Sequence, residues 1–257
     1  MDSPKFVELG NGRLSFEETG SGETIVLIHG FSLNHSMWKD QVELLKEKYH
    51  VLTYDMRGFG KSSSPDLPYS HHEDLKTLLD FLDISKTHLV GLSLGGEVAI
   101  DFTLTYQDLV YSLTLVDSSI GGYKSTVDWN VHPEQGLNKA KENWLNHEVF
   151  AQTQKNEEAF KLLTKIATDY SGWHWFNKDP RKKLSPSVLE QLEKIKVITQ
   201  AITGEQDLSY YQEMANTLGS KIKNSQKVTI PSSGHLPNIE NSNIFNRVLL
   251  DFLSRYD

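Results

Sequence analysis

The chain of 257 residues contains no cysteine. That absence excludes disulfides, thiolate nucleophiles and cysteine-ligated metal centres. No stretch approaches the roughly 18 consecutive apolar residues of a membrane-spanning helix. The opening MDSPKFVELGNGRLSF carries an early acid and lacks the apolar core of a secretory leader. Positive charge is also in short supply: 26 lysines and arginines face 34 acids, a formal net charge of −8. The one dense basic run, Arg181-Lys182-Lys183, is too short for a nucleic-acid arm. Nucleic acid and anionic membrane surfaces are therefore disfavoured as partners, and a soluble cytoplasmic protein is the expectation. Repeats and low-complexity tracts are missing too, so the chain reads as one domain over residues 1–257.

Two strings imitate cofactor sites without matching them. YDMRGFGKSSSP lacks the G-x-x-x-x-G-K-[ST] spacing of a phosphate loop, and its Gly58 and Gly60 fit an ordinary strand-to-helix loop. Asp55 and Arg57 in it are expected to form an ion pair or cap near the site. His71-His72-Glu73-Asp74 lacks the i, i+4 histidine pair of a helical zinc site and reads as a polar helix start. No metal and no organic cofactor is expected.

What is present is alternation. Strand-length apolar runs (KFVEL, GRLSF, ETIVLI, HVLTY, THLVGL, VYSLTLV, VITQAITG, QKVTI) are mostly separated by helical patterns, of which SMWKDQVELLKEKY and HHEDLKTLLDFLDI are the first. The first two strands are predicted to join through Asn11-Gly12 as a hairpin. The remainder read as right-handed crossovers in a mainly parallel sheet with helices on both faces. Ligands of such sheets gather beyond the carboxyl ends of the strands.

Three of those ends carry chemistry. Gly91-Leu92-Ser93-Leu94-Gly95 matches G-x-S-x-G between a strand and a helix. A serine raised on so tight a turn needs neighbours without side chains, and the helix behind it aims free amides at the reaction centre. ITGEQDLSYY offers Asp207, with Glu205 in the same loop, and TIPSSGHLPNIE offers His235. Together they form a nucleophile, an orienting acid and a base. Asp117, in LVDSS, is the rival acid, and loop reach favours Asp207. LIHGFSLNHSMW places the Phe31 amide near the serine, so Phe31 and Leu94 N–H groups are the expected oxyanion donors. His29 is expected to shape that loop.

From about residue 121 to 187 the alternation stops. That stretch is polar, partly helical and holds four of the five tryptophans: Trp129, Trp144, Trp173 and Trp175. An insertion there would cover the site, so a helical cap is predicted with these tryptophans toward substrate, although packing alone is expected of at least two. A helix around SVLEQLEKI follows. Arg181 is read as a solvated cation, with contact to a substrate carboxylate as its alternative.

HGF, YDMRGFGKS, HLVGLSLGGEVAI, GEQD and GHLPNIE follow one another as in the α/β-hydrolase superfamily, which the sequence resembles over essentially its whole length. Its compact size and GLSLGG elbow are similar to the 3-oxoadipate enol-lactonase-like carboxylesterases. The resemblance implies an eight-stranded, mostly parallel sheet with a cap after strand six. It also implies a Ser93–Asp207–His235 triad, Phe31 and Leu94 oxyanion amides, and no cofactor. Ser93 departs from the aspartate of haloalkane dehalogenases and epoxide hydrolases. Leu92 departs from the asparagine usual in carbon–carbon bond hydrolases of ring-cleavage pathways, and from the tryptophan frequent in pimelate-ester esterases. The expected activity is hydrolysis of a small carboxylic ester or lactone. Cofactor-free perhydrolysis and carbon–carbon bond hydrolysis are the enzymatic alternatives, and a slowly turning-over ligand receptor is the alternative of another class.

Overall fold

The computed structural model describes residues 5–255. Strands β1 (Lys5–Leu9) and β2 (Gly12–Thr19) form an antiparallel hairpin at one edge of the sheet. Val7 pairs with Leu14, and both are buried. That apolar pair sets a register in which Gly12 faces Leu9, so the two-residue turn is Gly10-Asn11, one residue earlier than the sequence suggests.

Beyond the hairpin come β3 (Thr24–Ile28), β4 (His50–Tyr54), β5 (Thr87–Leu92), β6 (Val110–Val116), β7 (Ile198–Gly204) and β8 (Ser225–Ile230). The sheet order is β1-β2-β4-β3-β5-β6-β7-β8. The pairs β1–β2 and β2–β4 are antiparallel, and the others are parallel. Ile25 to Ile28 are wholly buried, as an unbroken apolar strand covered on both faces must be.

Helices α1 (Lys39–Leu45), α2 (His71–Phe81) and α3 (Leu94–Thr105) make the early crossovers. Between β6 and β7 lie α4 (Leu137–Leu145), α5 (Glu157–Asp169) and the single turn α6 (Trp173–Phe176). Next come α7 (Ser209–Lys221), α8 (Pro237–Glu240) and α9 (Ser242–Leu253). The helix expected around SVLEQLEKI is instead two short 3-10 turns, Val188–Glu190 and Leu192–Lys194. Each turn buries a single apolar side chain, Val188 or Leu192, and a continuous helix adds nothing to that burial.

Other expectations about side chains are corrected. Asp55 does not pair with Arg57: it accepts from the His35 ring at 2.8 Å and from the Lys61 amide at 2.9 Å. Arg57 instead grips Asp74 with two hydrogen bonds of 2.9 and 2.8 Å. Arg181 is mostly buried against Glu97 of α3, at 2.9 Å, so it is neither a solvated cation nor a lining residue of the site cavity. There it fastens the end of the insert to the helix behind the elbow.

Candidate active site

The elbow is built from backbone constraints. Ser93, between β5 and α3, has φ 54° and ψ −113°, outside the regions an L residue prefers. Such a conformation costs roughly 1–3 kcal/mol and persists only where the surroundings impose it. Hydrogen bonds from Ser93 N–H to Val116 O (2.9 Å) and from Ser119 N–H to Ser93 O (3.1 Å) hold it. A Cβ on Gly91 would lie 2.3 Å from Gly95 O, and one on Gly95 would lie 2.3 Å from Ile28 O. The second contact seats the start of α3 on the end of β3. Gly30 in turn packs on Leu92, where a Cβ would meet the side chain at 2.8 Å. The loop carrying Phe31 is thereby held beside Ser93 and Leu94, and all of them line one cavity.

His29 has the loop-shaping part expected of it. Its ring is buried, with Nδ1 2.7 Å from Gly30 O and Nε2 accepting the Met56 amide at 2.9 Å. Burial holds this imidazole neutral, its pKa lowered to about 4. The Phe31 ring meets Phe59, Trp144, Tyr170 and His174 at centroid distances of 5.5–5.9 Å.

The acid and base loops meet just as tightly. A Cβ on Gly204 would stand 2.0 Å from Gly234 O. Gln206 N–H donates to Ser233 O at 2.8 Å, and Glu205 accepts from Ser232 N–H at 3.0 Å. Glu205 is thus a tie between the loops. Asp207 Oδ2 stands 2.9 Å from His235 Nδ1, and Oδ1 accepts from the Leu208 amide at 2.7 Å.

Asp117 also reaches this place. Its Oδ1 accepts from Thr203 Oγ1 at 2.8 Å and from the Gly204 amide at 3.1 Å. One polar atom each of Asp117, Asp207 and His235 lie within 4.8 Å of one another. Two buried carboxyls so close cannot both ionise. Burial and the neighbouring Asp207 charge push Asp117 well above the usual carboxylate range. Burial raises Asp207 to about 7, opposed by the hydrogen bond from Asp117. Asp117 is the neutral partner, and Asp207, bonded to the imidazole, is the one that ionises. Burial lowers His235 to about 4, leaving a neutral base at ordinary pH.

Ser93 and His235 open into one cavity of about 270 Å³, at the small end for ligand sites. Trp129, Trp144, Trp175, Phe150 and Leu236 form much of its wall. Three of the four insert tryptophans therefore face the cavity, so one and not the expected two or more is left to packing alone. Trp173 does not; its ring lies edge-on to His174, 4.9 Å away. The indole N–H groups of Trp129 and Trp144 are satisfied by Ser125 (2.9 Å) and Ser32 (2.6 Å). Among the described residues that line the cavity, none carries a cationic side chain.

Sequence reasoning passes over Tyr211. Its hydroxyl lies 3.4 Å from Ser93 Oγ and its ring centroid 4.1 Å from that of His235. The only signal was its place four residues after Asp207, which does not reveal where the ring turns.

Comparison with known proteins agrees with the fold. The family described as alpha/beta hydrolase fold matches residues 23–216. The chain belongs to the α/β-hydrolase family. A putative non-heme chloroperoxidase of Synechocystis sp. is 33% identical over 93% of this chain and 94% of its own length. The 2-hydroxy-6-oxo-6-(2'-aminophenyl)hexa-2,4-dienoic acid hydrolase of Metapseudomonas resinovorans is 26% identical over 98% and 91%. Among solved structures, Est816, described as an N-acyl homoserine lactone degrading enzyme, superposes with TM-score 0.79 at 24% identity, covering 96% of this chain and 100% of its own. The enol-lactonase of Burkholderia xenovorans LB400 gives 0.72 at 21%, covering 97% and 100%. At those identities the two structures speak for the shared fold. This α/β-hydrolase carries no helix long and apolar enough to cross a membrane among its described residues.

Proposed function

We propose that this α/β-hydrolase is a serine esterase or lactonase acting on small, uncharged carboxylic esters through an acyl-enzyme. The observation that carries the reading is the 2.9 Å His235–Asp207 contact opening onto the same cavity as the strained Ser93. Ser93 Oγ attacks the ester carbonyl while His235 Nε2 takes its proton. Asp207 holds Nδ1–H and so fixes the tautomer. The Phe31 and Leu94 amides receive the oxyanion, an interaction worth about 2.7–4 kcal/mol per donor. His235 then hands its proton to the leaving alkoxide. It next takes one from water, which attacks the acyl carbon and releases the acid and Ser93.

The substrate class follows from the walls. Aromatic and aliphatic side chains without a cation suit an apolar acyl or alkyl portion and disfavour a carboxylated one, whose buried charge would stay unpaired. That argues against the acid substrates named for the carbon–carbon hydrolase relative. Perhydrolysis uses the same acyl-enzyme with peroxide in place of water, and the name of the 33% identical relative favours it as a second activity. The test is a panel of p-nitrophenyl esters with wild type and Ser93→Ala. Neutral short esters should turn over and Ser93→Ala should lose at least about 10³-fold in kcat. Near wild-type hydrolysis by Ser93→Ala would overturn the reading.

A further inference from the structure

Tyr211 occupies the first turn of α7 and is buried. Its hydroxyl oxygen stands 3.4 Å from Ser93 Oγ, while its ring covers His235 at 4.1 Å with an interplanar angle of 41°. Ser93 and Tyr211 both line the cavity. One residue thus touches both the nucleophilic oxygen and the imidazole that takes its proton.

We infer that Tyr211 is a further catalytic residue, whose O–H donates a hydrogen bond to Ser93 Oγ whenever that oxygen carries developing negative charge. The inference rests on the serine-hydrolase reading. In the first half-reaction the Ser93 O–H bond breaks, its proton passes to His235 Nε2, and the Oγ–acyl bond forms. The Tyr211 proton stays on its own oxygen throughout. In the second half-reaction the Oγ–acyl bond breaks, and Oγ gains charge again before His235 returns a proton to it. The same donor therefore serves both steps. Burial raises the phenol pKa above its ordinary value, so the group remains a neutral donor over the working range. A hydrogen bond of 3.4 Å is long at rest, and such contacts commonly tighten once substrate binds.

Removing the hydroxyl while keeping the ring separates this role from simple packing on His235. The full chain carrying Tyr211→Phe should hydrolyse p-nitrophenyl acetate with kcat about 10- to 100-fold lower, as losing a hydrogen bond to a charged group implies. KM should stay within about twofold, since the bond strengthens only as charge develops. The rate at which a fluorophosphonate labels Ser93 should fall in step, because that attack also builds charge on Oγ. Should Tyr211→Phe fail to fold, a 3-fluorotyrosine at position 211, a more acidic donor of nearly the same shape, should raise the labelling rate, and an unchanged rate overturns the assignment. With a folded variant, wild-type kcat and labelling overturn it while leaving Ser93 as the nucleophile. No label on Ser93 in the wild-type chain overturns the underlying reading instead.

Discussion

The carboxyl edge of the sheet and the insert over it are built by different physics. At the sheet edge, backbone meets backbone: Gly91 on Gly95, Gly95 on Ile28 and Gly204 on Gly234, with no room for a Cβ. In the insert, aromatic rings meet rings at 5–6 Å, as Trp144 does with Phe31 and with Phe150. The first kind of contact tolerates one residue type at one position. The second accepts many shapes, so the proposed reaction is assigned to the edge and substrate choice to the insert.

The largest effect should come from the acid pair at the edge. Asp207→Asn should lower kcat by about 10⁴, because an amide favours the wrong imidazole tautomer. Asp117→Asn should stay within a few-fold of wild type. An asparagine keeps the contacts of a neutral carboxyl: it accepts from Thr203 and Gly204 and donates to Asp207. The pH profile of kcat/KM gives the sign. Asp207 is raised to about 7, so activity should climb as pH rises through about 7 and the carboxylate forms. Asp117→Ala removes the hydrogen bond that lowers Asp207, and should move this rise to higher pH.

Sequence alone resolved the two regions unequally for the same reason. The G-x-S-x-G elbow is legible because steric exclusion leaves a pattern of glycines around Ser93. The strands are legible because burial on both faces demands unbroken apolar runs. The choice of Asp207 over Asp117 rested on loop reach alone, since both stand at strand ends and the fold brings both to His235. Only the imidazole contact separates them. Arg181, Trp173 and Tyr211 depend on where long side chains turn after distant segments pack, and local spacing carries no record of that. The helix expected around SVLEQLEKI is absent for a like reason, because tertiary packing buries Val188 and Leu192 in separate turns.

A middle-sized effect should break the backbone side of the comparison. Gly95→Ala places a methyl 2.3 Å from Ile28 O, which cannot yield as a side chain can. It should cost about 3 kcal/mol in a urea titration, together with much of the activity. Loss of neither would show that the α3–β3 contact is looser than it stands here. The smallest effects should fall in the insert. Trp129→Ala should raise KM for longer acyl chains about tenfold with little change for acetate, and Trp173→Ala should leave both within twofold. Equal effects of the two substitutions in an acyl-length series would erase the distinction between lining and packing tryptophans.

The proposal stands on Ser93 being the nucleophile. The most direct measurement is incubation of the wild-type chain with a fluorophosphonate, followed by intact-mass and peptide mass spectrometry. A single adduct on the peptide containing Ser93, lost on prior heat denaturation, is the predicted result. An adduct on any other residue, or none while esters are still hydrolysed, would contradict it.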